Sequence, residues 1–213
     1  MKKLAFFILL SLVTLGVSAQ SNLKWNVNAG IGMSNWYGDD TDGTDAKFAY
    51  KVGIGLEVPF ANTNIWSFQT GLNFISKGVK GDGVTDAWDV VDVTINQLYL
   101  ELPINVQFRF NIANNTNLVV ATGPYLACGV GGKAKFDGKA SIGNVGINAD
   151  EKIDTFGDDG LGYNRFDAGW NIGLGVEFGQ ILVGLDTQLG FCKIMDGNAP
   201  HNANIGITVG YKF

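Results

Sequence analysis

The sequence predicts an all-β protein, an eight-stranded antiparallel up-and-down transmembrane β-barrel that follows a cleaved signal peptide. Three observations support this prediction. The N-terminus has the basic start, the apolar run and the small residues of an export signal. The rest of the chain alternates apolar and polar residues with a period of two. The connections between the alternating segments are short and long in turn, as in barrels that cross a membrane.

Residues 1–19 are predicted to be the signal peptide and residues 20–213 the outer-membrane β-barrel domain. The apolar run is too short to cross a bilayer as a helix, which takes about 20 residues. Small residues at its end place the cleavage site between Ala19 and Gln20. Because Gln20 is not a cysteine, we do not expect a lipoprotein anchor.

Charge and cysteine content exclude two classes of protein. The formal net charge is −5 at pH 7, so the chain is unsuited to neutralising phosphates and we expect no nucleic-acid partner. Cys128 and Cys192 are too few for a disulfide framework. In the alternating register they point to opposite faces of non-adjacent strands, so we expect two unpaired thiols.

Eight segments show the period of two. A helix would group apolar residues three and four positions apart, whereas alternation indicates a strand with one apolar face. The segments are 25–33, 48–60, 66–74, 98–110, 118–130, 166–178, 181–191 and 205–213.

The connections fall into two sets. The short ones are 61–64, 111–115 and 179–180, and the long ones are 38–45, 80–92, 136–164 and 195–202. Strict alternation places every long loop at one end of the sheet. In outer-membrane barrels the short turns are periplasmic and the long loops are outside, so both termini are predicted at the periplasmic end.

Period two alone does not say which face of the barrel is apolar. A soluble, lipocalin-like ligand-binding barrel, periplasmic or secreted, also alternates and remains an alternative. Three features favour the bacterial outer membrane. The polar face is rich in glycine and charged residues, aromatics lie near the strand ends, and the apolar faces are long enough to form a lipid-facing band. The expected partners are then outer-membrane lipid and lipopolysaccharide. The terminal Phe213 also resembles the signal that barrel-assembly machinery reads, which predicts that machinery as a partner.

The polar phase carries charges that we expect inside the barrel. Buried charges are tolerated when they are paired, so we predict a structural interior network; a proton or ion path is the functional alternative. Its members are Lys51, Glu57, Glu101, Arg109, Glu177, Asp186 and Lys212.

Several short motifs, in order along the chain, resemble the PorT-like outer-membrane β-barrel family of Bacteroidetes-type bacteria. The motifs are Tyr99-Leu100-Glu101-Leu102-Pro103-Ile104, Phe108-Arg109-Phe110, Gly123-Pro124-Tyr125, Asp167-Ala168-Gly169-Trp170 and Gly210-Tyr211-Lys212-Phe213. The resemblance implies an eight-stranded outer-membrane barrel. It implies no single activity, although a few members take part in protein secretion across the outer membrane, which is a further alternative here.

Residues suited to chemistry are few, and we predict no catalytic, cofactor-binding or metal-binding residues. The only histidine, His201, falls in the last long loop, and no serine lies at a motif spacing from it. The acidic loop 38–45 does not complete an EF-hand spacing. We therefore predict a non-enzymatic barrel with a structural or loop-mediated role in the cell envelope. A partner protein in the envelope or outside the cell could bind through loop 136–164.

Overall fold

The computed structural model describes residues 23–39, 41, 43–60, 65–84, 90–142, 145–157, 160–197 and 199–213. The predicted signal peptide, with its cleavage site at Ala19 and Gln20, lies outside these residues. So does the connection 61–64, the first of the predicted short turns.

The described residues form strands almost throughout. The strands are β1 (Lys24–Tyr37), β2 (Thr44–Asp45), β3 (Lys47–Pro59), β4 (Trp66–Val84), β5 (Val90–Ala113), β6 (Thr116–Ile142), β7 (Val145–Asp154), β8 (Phe166–Phe178), β9 (Ile181–Lys193) and β10 (His201–Lys212).

Eight of these strands close into a barrel, as predicted. Each pairs antiparallel with its neighbours in the order β1-β3-β4-β5-β6-β8-β9-β10. The last strand closes on the first, from Asn26 opposite Lys212 to Tyr37 opposite His201. The other two strands lie outside the closed circle: β2 pairs with β4 and β7 pairs with β6. We call the end that carries β7 the outer end.

The strands extend further at the outer end than predicted. Much of 80–92 belongs to β4 and β5, and most of 136–164 belongs to β6 and β7, so the prediction of long loops there was wrong. The pairs in these extensions include Asp82 opposite Asp92 and Asp137 opposite Asp150. Parts of these extensions alternate as strands do, as in Val91-Asp92-Val93-Thr94-Ile95 and Val145-Gly146-Ile147-Asn148-Ala149, and the sequence prediction did not use that alternation.

The outward face of the barrel is apolar along every strand. Ile31, Ile207 and Leu185, which lie side by side on β1, β10 and β9, are each more than half exposed. Exposed aromatics flank this belt near the strand ends: Trp25, Phe60, Trp66, Phe110, Phe178 and Phe213 at the short-turn end, and Tyr37, Phe48 and Phe166 at the outer end. A soluble barrel would turn its apolar face inward, so that alternative is wrong.

Among the described residues, no helix is long and apolar enough to cross a membrane.

The belt gives a first prediction, for an arginine in its middle. Ile207→Arg places a charge between Ile31 and Leu185 and is expected to lower the free energy of unfolding by about 2–4 kcal/mol. Phe178→Arg, in the aromatic girdle, is the matched control and should cost about 0–1 kcal/mol. Urea titration of both variants in phospholipid vesicles measures the difference. Equal costs at the two positions would contradict a lipid-facing belt.

Candidate functional site

A first ion-pair network fills the barrel interior near the short-turn end. Arg109 is its centre, and two of its guanidinium nitrogens lie 2.5 Å from the two carboxylate oxygens of Glu57. Arg109 Nε donates to Glu177 Oε2 at 3.1 Å. Lys212 Nζ lies 3.2 Å from Glu57 Oε2 and also contacts Glu177. All four side chains are buried. We call them the lower network.

The remaining donors of Arg109 are also satisfied, by Ser67 Oγ at 3.1 Å and by Gln107 Oε1 at 2.8 Å. Two positive and two negative charges therefore balance in one buried layer. Such a layer is costly to desolvate and is stable because every charge has partners.

The next charged pair lies half-buried further along the interior. Lys51 Nζ is 2.8 Å from Asp186 Oδ2, and the Thr208 hydroxyl donates to the other Asp186 carboxylate oxygen. This pair connects β3 with β9 across the barrel.

A second network, the upper network, occupies the outer half of the interior. Lys77 Nζ lies 2.9 Å from Asp167 Oδ2 and 3.6 Å from Glu101 Oε2. The ammonium also sits over the ring of Tyr125, 4.0 Å from its centroid, and 5.4 Å from that of Tyr99. All five residues are almost fully buried, so the upper network closes the barrel as the lower one does.

The structure places all seven sequence-predicted interior residues inside the barrel and assigns their partners. Glu101 and Arg109 share β5 but belong to different networks. Sequence reasoning missed Lys77 and Asp167. Asp167 lies in the same polar phase of its strand as Glu177 and could have been found that way. Lys77 lies beyond the predicted end of its strand, at 74, where the alternation weakens.

An apolar cap covers the upper network from the outer end. It consists of Ile75, Val79, Ile95, Ala127, Ala134, Phe156, Tyr163, Ile194 and Ala199, which cluster with Tyr99 and Tyr125 of the upper network. Phe156 comes from the connection between β7 and β8 and packs edge-on to Tyr99 at 5.5 Å. A side chain at Gly129 would overlap its ring. Burial raises the pKa of Tyr163 to about 12, so its phenol stays neutral. An apolar cap inside the polar phase was not predicted.

His201 corrects a sequence-based expectation. It is the first residue of β10, not a loop residue, and its ring lies against that of Tyr37 with centroids 5.5 Å apart. Cys128 and Cys192 are both free, and they lie on opposite faces as predicted. Within the described part of the chain, no three His, Cys, Asp or Glu side chains come together as metal ligands would.

A chamber of about 130 Å³, with both polar and apolar side chains in its wall, lies between the two networks. Its wall is rich in carboxamide side chains and glycines, and it also includes Glu101, Lys51, Asp186 and Lys212. The carboxamides are Asn26, Asn28, Gln69, Asn73, Asn105, Gln107, Asn171 and Gln188. Gly173 leaves part of the room that the chamber occupies, because its inward position carries no side chain, whereas the space at Gly55 is taken by the side chain of Asn26.

The fold and its lipid-facing belt agree with a comparison to known families. The sequence model of the family described as "Outer membrane protein beta-barrel domain" matches residues 13–196. The chain belongs to this family. As a member of it, the protein is an outer-membrane β-barrel of the bacterial cell envelope, and its apolar belt contacts the membrane lipid.

Solved outer-membrane proteins resemble this family member over most of its length. Ail of Yersinia pestis is 15% identical, over 90% of this chain and 99% of that chain, with a TM-score of 0.40. OprG of Pseudomonas aeruginosa is 13% identical, over 89% of this chain and 95% of that chain, with a TM-score of 0.44. The Neisserial surface protein NspA is 10% identical, over 89% of this chain and 97% of that chain, with a TM-score of 0.42. No curated protein sequence matches the chain.

Proposed function

We propose that this outer-membrane barrel is non-enzymatic and acts through its outer end, by binding a protein of the envelope or of the cell exterior. The observation that carries the proposal is that buried side chains block the described interior on both sides of the chamber. Eight strands leave a narrow interior that side chains can fill; here the lower network blocks it on one side of the chamber, and the upper network and the apolar cap block it on the other. A lumen blocked in this way argues against a solute channel and directs attention to the outer surface.

At the outer end, one edge of β7 has no neighbouring strand among the described residues. β7 is ten residues long, and among the described pairings it has β6 as its only neighbour. Its other edge therefore presents backbone N–H and C=O groups that an extended segment of a partner could pair with. This is the region that the sequence suggested for a partner, loop 136–164, although as a hairpin and not as a loop.

Truncation of the hairpin tests the proposal. Replacing residues 138–149 with Asn-Gly keeps Asp137 opposite Asp150, and of the barrel strands it shortens only β6, by the part beyond Asp137. Chemical crosslinking on whole cells, followed by mass spectrometry, should lose specific partner proteins in this variant. Replacing the short turn Asn114-Asn115 with Asn-Gly, at the opposite end, is the control and should retain them. An unchanged set of crosslinked partners in the truncated variant would refute the proposal.

A separate experiment tests the proposal that the barrel is non-enzymatic. Lipid modification at the outer rim is the chemistry that small outer-membrane barrels most readily suggest, and His201 is the only histidine in the chain. We expect the envelope lipid profile to stay the same on deletion of the gene and in His201→Ala. A lipid species that disappears in both strains would show an enzyme.

Two finer assignments belong to the same proposal. The motifs around Tyr99–Ile104 and Asp167–Trp170 support membership of the PorT-like branch, and with it the alternative role in secretion across the outer membrane. Normal protein export in a deletion strain would remove that alternative. Phe213, which packs edge-on to Tyr211 at 5.2 Å, supports recognition of the last strand by barrel-assembly machinery. Slower membrane assembly of Phe213→Ala would agree with that.

A further inference from the structure

Three lysines lie in one row across the strands, on the outer-end side of the lipid-facing belt. Lys80 on β4 is opposite Thr94 on β5, and Thr94 is opposite Lys135 on β6. Lys135 in turn is opposite Lys152 on β7. Residues directly opposite each other share one face of a sheet. All three lysines are exposed, and we call them the lysine row.

The chain neighbours of these lysines show which face the row occupies. Val79 precedes Lys80 and Ala134 precedes Lys135, and both neighbours are buried in the apolar cap. Successive side chains along a strand point to opposite faces. The lysine row therefore faces away from the barrel interior, in the same direction as the apolar belt.

The row lies at the level where the membrane surface is expected. Along β6 the exposed residues change from Leu126 and Val130 to Lys133 and Lys135. With the outer end outside the cell, as the short turns predict, this change falls where acyl chains of the outer leaflet meet their head groups. One register row further out, the strands carry four aspartates, Asp82, Asp92, Asp137 and Asp150. The basic level is therefore narrow and adjoins the membrane.

The lysine row lacks anionic partners within the described part of the chain. None of the ion pairs there involves Lys80, Lys135 or Lys152. Lys135 and Lys152 are directly opposite on adjacent strands, which lie about 4.8 Å apart. Like charges in this arrangement destabilise a sheet, so an anion bound between the two ammonium groups would stabilise it.

We propose that the lysine row binds phosphate groups of lipopolysaccharide in the outer leaflet. A phosphate monoester carries about −1.5 to −2 charges and three acceptor oxygens, so one group can accept from Lys135 and Lys152 together. Lys80, about 10 Å away across β5, can contact a second phosphate. A lipid can pack its acyl chains on the belt while its phosphates meet the row, whereas a soluble anionic protein would have to approach past the four aspartates.

The lysine row contains none of residues 138–149, which the hairpin truncation removes. The truncated variant should therefore still bind the lipid, and the two proposals can fail separately.

Binding of lipid A to the refolded protein in zwitterionic detergent micelles, followed by native mass spectrometry, tests the proposal. The probes are lipid A with two phosphates and the same lipid with both phosphates removed. The native protein should bind the phosphorylated form about a hundredfold more tightly, since each lysine near an anionic surface contributes about fivefold. The triple variant Lys80→Gln/Lys135→Gln/Lys152→Gln should lose most of this preference. Lys24→Gln, at the short-turn end, is the control and should retain it.

A second variant keeps the proposal testable if the triple variant does not fold. Lys135→Glu places a carboxylate opposite Lys152. It should weaken binding of phosphorylated lipid A about twentyfold, while the lipid-free barrel should unfold at the same or a higher urea concentration. Equal affinity of the native protein and the triple variant for phosphorylated lipid A would overturn the proposal. Complete displacement of the lipid by millimolar inorganic phosphate would also overturn it, because it would show a site for free phosphate.

Discussion

Arg109→Met is expected to lower the free energy of unfolding by about 3–5 kcal/mol, because it leaves buried charges uncompensated. Arg109 contacts both carboxylates of the lower network. Without it, Glu57 and Glu177 share the single ammonium of Lys212 in a buried layer. Urea titration in phospholipid vesicles, read by tryptophan fluorescence and by the gel mobility of unboiled samples, measures the change.

Two further variants separate charge from geometry. Arg109→Lys keeps the charge but loses the paired contact to Glu57, and it should fall between Met and the native protein. The double variant Arg109→Met/Glu57→Gln restores charge balance and should recover part of the loss. If the double variant were as unstable as the sum of the two single variants, charge imbalance would not explain the effect.

Lys77→Met is expected to cost a similar amount, about 3–5 kcal/mol, in the upper network. Among the described residues, Lys77 is the cation that forms ion pairs with Asp167 and Glu101. Its removal leaves two buried carboxylates and also removes the ammonium that packs over Tyr125. The same urea titration measures the loss.

Lys133→Met is the matched control for the lysine substitution. Lys133 lies 3.7 Å from Asp154, but both side chains are more than half exposed, so this pair should contribute about 0–1 kcal/mol. A triple variant tests whether the loss can be reversed. Lys77→Met combined with Glu101→Gln and Asp167→Asn removes all three charges and should recover most of the stability that Lys77→Met loses. A Lys77→Met variant as stable as Lys133→Met would mean that the upper network is not a buried ion-pair layer.

Much of the barrel could be predicted because the face on which a side chain lies depends only on its position along its own strand. Glu57, Arg109, Glu177 and Lys212 occupy the polar phase of their own strands, and the structure places each one inside. Their pairing could not be predicted. The stagger of the strands around a barrel decides which inward residues meet, and an alternating pattern on single strands does not report that stagger.

The outer end shows where local reasoning fails. The cap residue Phe156 and the tyrosines Tyr99 and Tyr125 come from distant parts of the chain. Tyr99 and Tyr125 are in the inward phase, so their direction was readable. Their apolar packing neighbours depend on the connection between β7 and β8, which brings Phe156 into the barrel.

The sequence by itself determined the number of membrane strands, their antiparallel order, the lipid-facing phase and the inward direction of the charged residues. Each of these follows from the alternation of side chains along a strand and from the lengths of the connections. Tertiary structure alone decided the two networks, the apolar cap, the position of His201 in a strand and the chamber between the networks. These features depend on contacts between strands, and closure of the barrel sets those contacts.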